Sequence, residues 1–125
     1  MESKILELIQ NLTNINSPSG NAYNAISYVK QKVEHLGYST QLTNKGALII
    51  TVEGEDNERQ RCITAHVDTL GAMVKEIKED GRLTIDLIGG FKYNAIEGEY
   101  CQIETDSGET YTGTICLHET SVHVY

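Results

Sequence analysis

The stretch CITAHVDTLGAMVKEI, residues 62–77, sets a histidine and an aspartate two positions apart inside a run of small and apolar residues. On a β-strand, residues two apart share a face. Cys62, Thr64, His66 and Asp68 would then lie on one side, and Ile63, Ala65 and Val67 on the other. That predicts a polar face near the C-terminal end of a buried strand, and in open α/β sheets ligand sites lie outside the carboxyl ends of strands. Two readings follow. In one, His66 binds a metal ion, since neutral imidazole is a common ligand for zinc and cobalt-like ions, and Asp68 fixes its tautomer. In the other, His66 is a hydrogen-bonded core histidine beside a capping aspartate. The short His-x-Asp spacing does not choose between them.

The flanks set the fold class. Upstream, Ile5, Leu8, Ile9, Leu12 and Ile15 recur at steps of three and four, the stripe of an amphipathic helix. Pro18 and Gly20 in SPSGN break it. A second helical stripe runs through Ala22, Ile26, Val29, Val33 and Leu36, with Ser19 or Asn21 available as its cap and Gly37 as its end. KGALIITVEG and RCITAHVD read as strands around an exposed polar turn, EDNERQ. Helix, helix, strand, strand is an α/β pattern. Beyond Gly71 the helical period vanishes. GAMVKEI, RLTIDLI, EYCQIET, TYTGTICLHE and SVHVY all read as strands, with EDG and DSG at turns. The organisation is therefore expected to change at 1–70 against 71–125. The apolar end SVHVY is expected to belong inside a larger β-element.

Composition narrows the classes. A chain of 125 residues suffices for one ordinary domain. A net charge of -8 without a basic stripe argues against nucleic acid and against an anionic membrane surface. Cys62, Cys101 and Cys116 are odd in number and form no CxxC pair, which favours free thiols in a reducing compartment. The first residues, MESKILELIQ, carry no long apolar stretch, so neither a signal peptide nor a membrane span is expected and the cytoplasm is the expected location.

Other candidates are weaker. HETSVH, residues 118–123, resembles a zinc-protease helix motif but places its histidines five apart, off a common helical face. In a strand, His118 and His123 point to opposite faces. His35, near the end of the second helix, suits the helix dipole. Ile88–Gly89–Gly90 is too sparse for a phosphate loop and is expected to permit a tight backbone turn. Cys62 reads as a buried small hydrophobe, because no histidine partner activates it.

Taken together, Ala65-His66-Val67-Asp68, then Gly71, then Gly89-Gly90, preceded by SPSG at Ser17–Gly20 and by NKGALI, resemble the glutamyl or deblocking aminopeptidase family of dinuclear-metal peptidases. The order of several spaced motifs, over nearly the whole chain, carries the resemblance. It implies the start of an α/β zinc-peptidase-like catalytic domain over 1–70, followed by the beginning of an inserted β-barrel-like domain over 71–125 that helps subunits associate. It implies His66 as a ligand to one of two divalent ions, zinc or cobalt. It also implies Asp68 as the catalytic-site aspartate that orients the metal-binding histidine. The family's other ligands and its general base lie beyond the motifs present here.

The sequence departs from the family pattern at Ala22, where Glu is frequent, at Gly46-Ala47 in place of Gly-Asn, and at Thr69 in place of Glu. None of these removes a ligand, but they leave substrate preference open. The resulting expectation is the N-terminal part of a metalloaminopeptidase acting on peptide substrates, homo-oligomeric through its β-domain, with the 125-residue chain by itself inactive. A non-catalytic assembly module, or a hydrolase of another amide or sugar substrate, remains an alternative.

Overall fold

The computed structural model describes residues 2–56 and 58–118. Helix α1 spans Glu2–Thr13 and helix α2 spans Tyr23–His35. Six strands follow among the described residues: β1 (Ser39–Leu42), β2 (Leu48–Thr51), β3 (Gly71–Ile77), β4 (Leu83–Ile88), β5 (Tyr100–Glu104) and β6 (Thr110–Thr114). They pair as three antiparallel two-stranded ladders, β1 with β2, β3 with β4 and β5 with β6. The described residues are thus an α/β mixture whose two α-helices precede the strands, with a short 3-10 helix at Tyr93–Ala95 between β4 and β5. It divides into two compact units, Met1–Gly89 and Gly90–Tyr125. The sequence pattern changes earlier, near Gly71, because periodicity reports which face each segment offers and not which segments touch.

In the first unit, α2 packs on β1 and β2. Ala25 on this helix is the one fully buried apolar side chain among the described residues. The helix ends where its composition predicts. The Gly37 N–H donates to the Glu34 carbonyl at 2.9 Å and the Tyr38 N–H to the Val33 carbonyl at 3.3 Å, which satisfies two of the last carbonyls. Its start differs from expectation. Ala22, not Ser19 or Asn21, occupies the N-cap position, and no side chain caps it. Asn11 Nδ2 donates to the Tyr28 hydroxyl at 3.0 Å and joins α1 to α2. The apolar stripe of α1 stays open, with Ile5, Leu8 and Ile9 all exposed.

The β1–β2 register runs from Ser39↔Thr51 to Leu42↔Leu48. The turn between them is closed by Thr43, whose N–H donates to the Ala47 carbonyl at 2.9 Å and whose hydroxyl accepts the Ala47 N–H at 3.0 Å. β3 and β4 form a longer hairpin, from Gly71↔Ile88 to Ile77↔Leu83, with an irregularity between Val74 and Glu76. Its turn uses the EDG signal: the Gly81 N–H reaches the Lys78 carbonyl at 2.9 Å. In the second unit, β5 and β6 pair from Tyr100↔Thr114 to Glu104↔Thr110, and the DSG turn is closed by Gly108 N–H to the Thr105 carbonyl at 2.9 Å.

One expected strand does not form. RCITAHVD lies outside every ladder, and Ile63 is 94% exposed. A strand needs a partner backbone about 4.8 Å away. This segment meets one only at its end, where Pro18 and Thr69 make an isolated parallel bridge. Alternating apolar residues create a demand for cover but do not supply it. The expected strand SVHVY lies outside the described residues, and TYTGTICLHE is a strand only over Thr110–Thr114.

Two tests follow from this fold. A Cβ on Gly71 would stand 2.6 Å from Pro18 Cβ, part of a rigid ring. Gly71→Ala should destabilise the chain by about 1–3 kcal/mol, read as a lower urea midpoint; an unchanged midpoint would remove this contact from the list of constraints. At the β3–β4 turn, hydrogen bonds from Arg82 hold the Asp80 carboxyl below its ordinary value of 3.8. A depressed carboxylate contributes stability above its unfolded pKa and loses it as pH falls through the folded value. The Asp80 carboxyl should therefore titrate below 3.8 by NMR and return towards that value in Arg82→Gln. Equal midpoints in the two proteins would contradict the assignment.

Candidate functional site

The His66–Asp68 pair forms without the strand that was expected to align it. His66 Nδ1 lies 2.7 Å from Asp68 Oδ1. An ionised carboxylate only accepts, so the bond requires the proton on Nδ1. The Nε2 lone pair of the neutral ring is then directed away from the aspartate and remains available to a ligand. The imidazole side chain is 83% exposed and the aspartate side chain 46% exposed. The reading of His66 as a buried core histidine therefore does not hold.

The segment is anchored from the loop between the helices. Ser17 is fully buried. Its hydroxyl donates to the carbonyl of Val67, the residue between His66 and Asp68, at 2.6 Å. The Thr69 N–H donates to the Ser17 carbonyl at 3.0 Å, and the Ser17 N–H donates to Thr69 Oγ1 at 3.2 Å. Gly71 leaves room for Pro18, as described above. Gly89 has φ +103, and a Cβ there would meet Leu70 Cδ2 at 2.6 Å. The glycine pair thus permits the tight turn expected of it, at the end of β4.

The other candidates stay apart from this pair. Cys62 is exposed, which corrects its reading as a buried small hydrophobe; a segment without a ladder has no interior to bury it in. The described cysteines are all free. His35 is the last residue of α2, the helix end where the dipole favours basic side chains. His118 is exposed beyond β6, and His123 lies outside the described residues. Among the described residues no group of three or more His, Cys, Asp and Glu could hold a metal ion. Sequence patterning brought out His66 and Asp68 but gave Ser17 and Thr69 no part in the site. A contact across fifty residues leaves no periodic trace in one chain.

The architecture is that of a solved peptidase. The chain matches the TET aminopeptidase from the marine sediment archaeon Thaumarchaeota archaeon SCGC AB-539-E09 with a TM-score of 0.80 and 23% identity, over 94% of this chain and 32% of that one. Residues 46–125 match the M42 glutamyl aminopeptidase family, and the chain belongs to that family. It is 62% identical over 122 residues to the candidate aminopeptidase YhfE of Bacillus subtilis (strain 168), covering 98% of this chain and 35% of that protein. It is 26% identical over 107 residues to the glutamyl aminopeptidase of Lactococcus lactis subsp. cremoris (strain MG1363), covering 85% of this chain and 30% of that protein. The chain thus spans about a third of the length of the curated relatives it matches.

The geometry makes its own prediction. Asp68→Asn exchanges an acceptor-only group for one that also donates, so the imidazole loses its fixed tautomer. Nitrogen NMR of the His66 ring should show Nδ1–H dominant in the parent and a mixture in the variant. A parent ring already protonated mainly on Nε2 when neutral would exclude the pairing.

Proposed function

We propose that this chain is the N-terminal part of a metal-dependent aminopeptidase that hydrolyses N-terminal residues from peptides. The observation that carries the reading is the 2.7 Å bond between His66 and Asp68, inside a segment that matches the M42 family. A carboxylate on one ring nitrogen makes the other a stronger donor, the arrangement common behind metal-ligating histidines. The donor chemistry fits one position in the coordination sphere of zinc or cobalt. A catalytic zinc takes three protein ligands and an open position. The remaining ligands and the general base are therefore assigned outside the described residues. Two divalent ions in the complete site, when bound, would polarise water and the scissile carbonyl. His66 supplies one lone pair, and Asp68 holds the ring that carries it.

The same reading assigns residues 71–125 to the inserted β-barrel-like domain through which copies of the enzyme assemble. Its support is the strand pairing from Gly71 onward and the exposure of Tyr100 and Tyr111 on the β5–β6 hairpin. Exposed aromatic side chains of this kind suit a contact with another chain. The free cysteines support a cytoplasmic location. Among the described residues no helix is long and apolar enough to cross a membrane.

His66→Ala in the longest natural polypeptide that contains this sequence should release metal and lose nearly all turnover of aminoacyl-anilides, while the circular dichroism spectrum is kept. Full metal content and turnover in that variant would overturn the ligand role. The 125-residue chain alone should be silent in the same assay with zinc or cobalt supplied. Stoichiometric tight binding in a calorimetric titration, or metal-dependent turnover above a His66→Ala control, would show a complete site within these residues.

A further inference from the structure

We propose that Ser17 is the positioning residue of the His66–Asp68 pair, acting with Thr69 as a clasp on the backbone between them. The inference rests on the reading of that pair as a metal-binding element, and adds to it the device that sets its geometry. His66 and Asp68 lie in a segment that belongs to no ladder, so sheet hydrogen bonding does not fix their backbone. Three hydrogen bonds from one residue replace it. The Ser17 hydroxyl holds the Val67 carbonyl at 2.6 Å. The Ser17 carbonyl holds the Thr69 N–H at 3.0 Å, and the Thr69 hydroxyl holds the Ser17 N–H at 3.2 Å. These bonds fall on the residues that alternate with the pair. They therefore hold the backbone on both sides of Asp68, next to the 2.7 Å contact with His66.

The location strengthens the argument. Ser17 is fully buried, so its hydroxyl has the Val67 carbonyl as partner in place of water. Pro18 continues the clasp as a parallel bridge to Thr69, and the absence of a side chain on Gly71 leaves space for its ring. The departure at Thr69, where the family frequently has Glu, thereby gains a physical role: a short branched hydroxyl that accepts the Ser17 N–H. The polar SPSG loop is a working part of the site even though it touches no reacting atom.

The test uses the longest natural polypeptide that contains this sequence, in the variants Ser17→Ala, Thr69→Val and Thr69→Ser. His66→Ala serves as the site control and Ala25→Gly as a control for lost stability elsewhere. Cobalt affinity is read from visible absorption, kcat and KM from aminoacyl-anilide turnover, and the clasp from hydrogen exchange at the Thr69 amide. Ser17→Ala and Thr69→Val should weaken cobalt binding by about 10–100-fold and lower kcat with little change in KM. Thr69→Ser should restore both. Ala25→Gly should lower the melting temperature and leave cobalt affinity at the parent value. Equal losses in Ser17→Ala and Ala25→Gly, or parent-like affinity in both Ser17→Ala and Thr69→Val, would overturn the proposal. Should Ser17→Ala not fold, the contrast between Thr69→Val and Thr69→Ser decides alone. If His66→Ala keeps its cobalt and turnover, the metal reading fails separately. Thr69 exchange then decides the clasp: acceleration of about tenfold or more in Thr69→Val supports it, and the parent rate overturns it.

Discussion

Hydrogen bonds across fifty residues tie Ser17 to Val67 and Thr69, and the placement of His66 depends on them. A polypeptide closing so long a loop pays in chain entropy, though the cost grows only slowly with loop length. What resists opening is the burial of Ser17, since a buried hydroxyl stripped of its partner loses more than the net strength of one hydrogen bond. The bridge at Pro18 and the bare Cα of Gly71 are consequences of the same approach. Any side chain at Gly71 would meet a ring that cannot turn away.

The hairpins obey a more local rule. Each strand pairs with its neighbour in sequence, and each turn is closed by bonds within a few residues. Such pairings need only short-range signals, which explains why they were legible. GAMVKEI is β3 residue for residue, RLTIDLI differs from β4 by one, and the EDG and DSG corners are where the chain turns. Both helices were legible for the same reason, through apolar spacing and the glycine after α2.

What was not legible depends on segments far apart. RCITAHVD has a strand's composition but, among the described residues, no strand beside it. The alternation of its side chains anticipated a shared face for His66 and Asp68, and the two do meet. Yet the meeting is secured by Ser17, whose neighbours in sequence suggest only a turn. Cys62 follows the same logic: a thiol among apolar residues predicts burial only if the segment itself is covered. At the start of α2 the N-cap falls on Ala22, whose side chain has no oxygen to accept from the first turn.

The exposed apolar side chains bear on how such a site functions. Ile5, Leu8 and Ile9 on α1, and Ile63 beside the site, lie open. Burial of one such side chain is worth roughly 1.5–3 kcal/mol, so these residues amount to a substantial driving force for association. The clasp does not depend on that force, because its bonds lie wholly within this chain. The two tasks are therefore separable. Hydrogen bonding from Ser17 holds the backbone that carries the imidazole, and cover over Ile63, three residues away, is a separate matter. On the proposed metal-ligand role, a histidine oriented before it is covered would offer its lone pair in one direction, which would reduce the ordering cost of ligation.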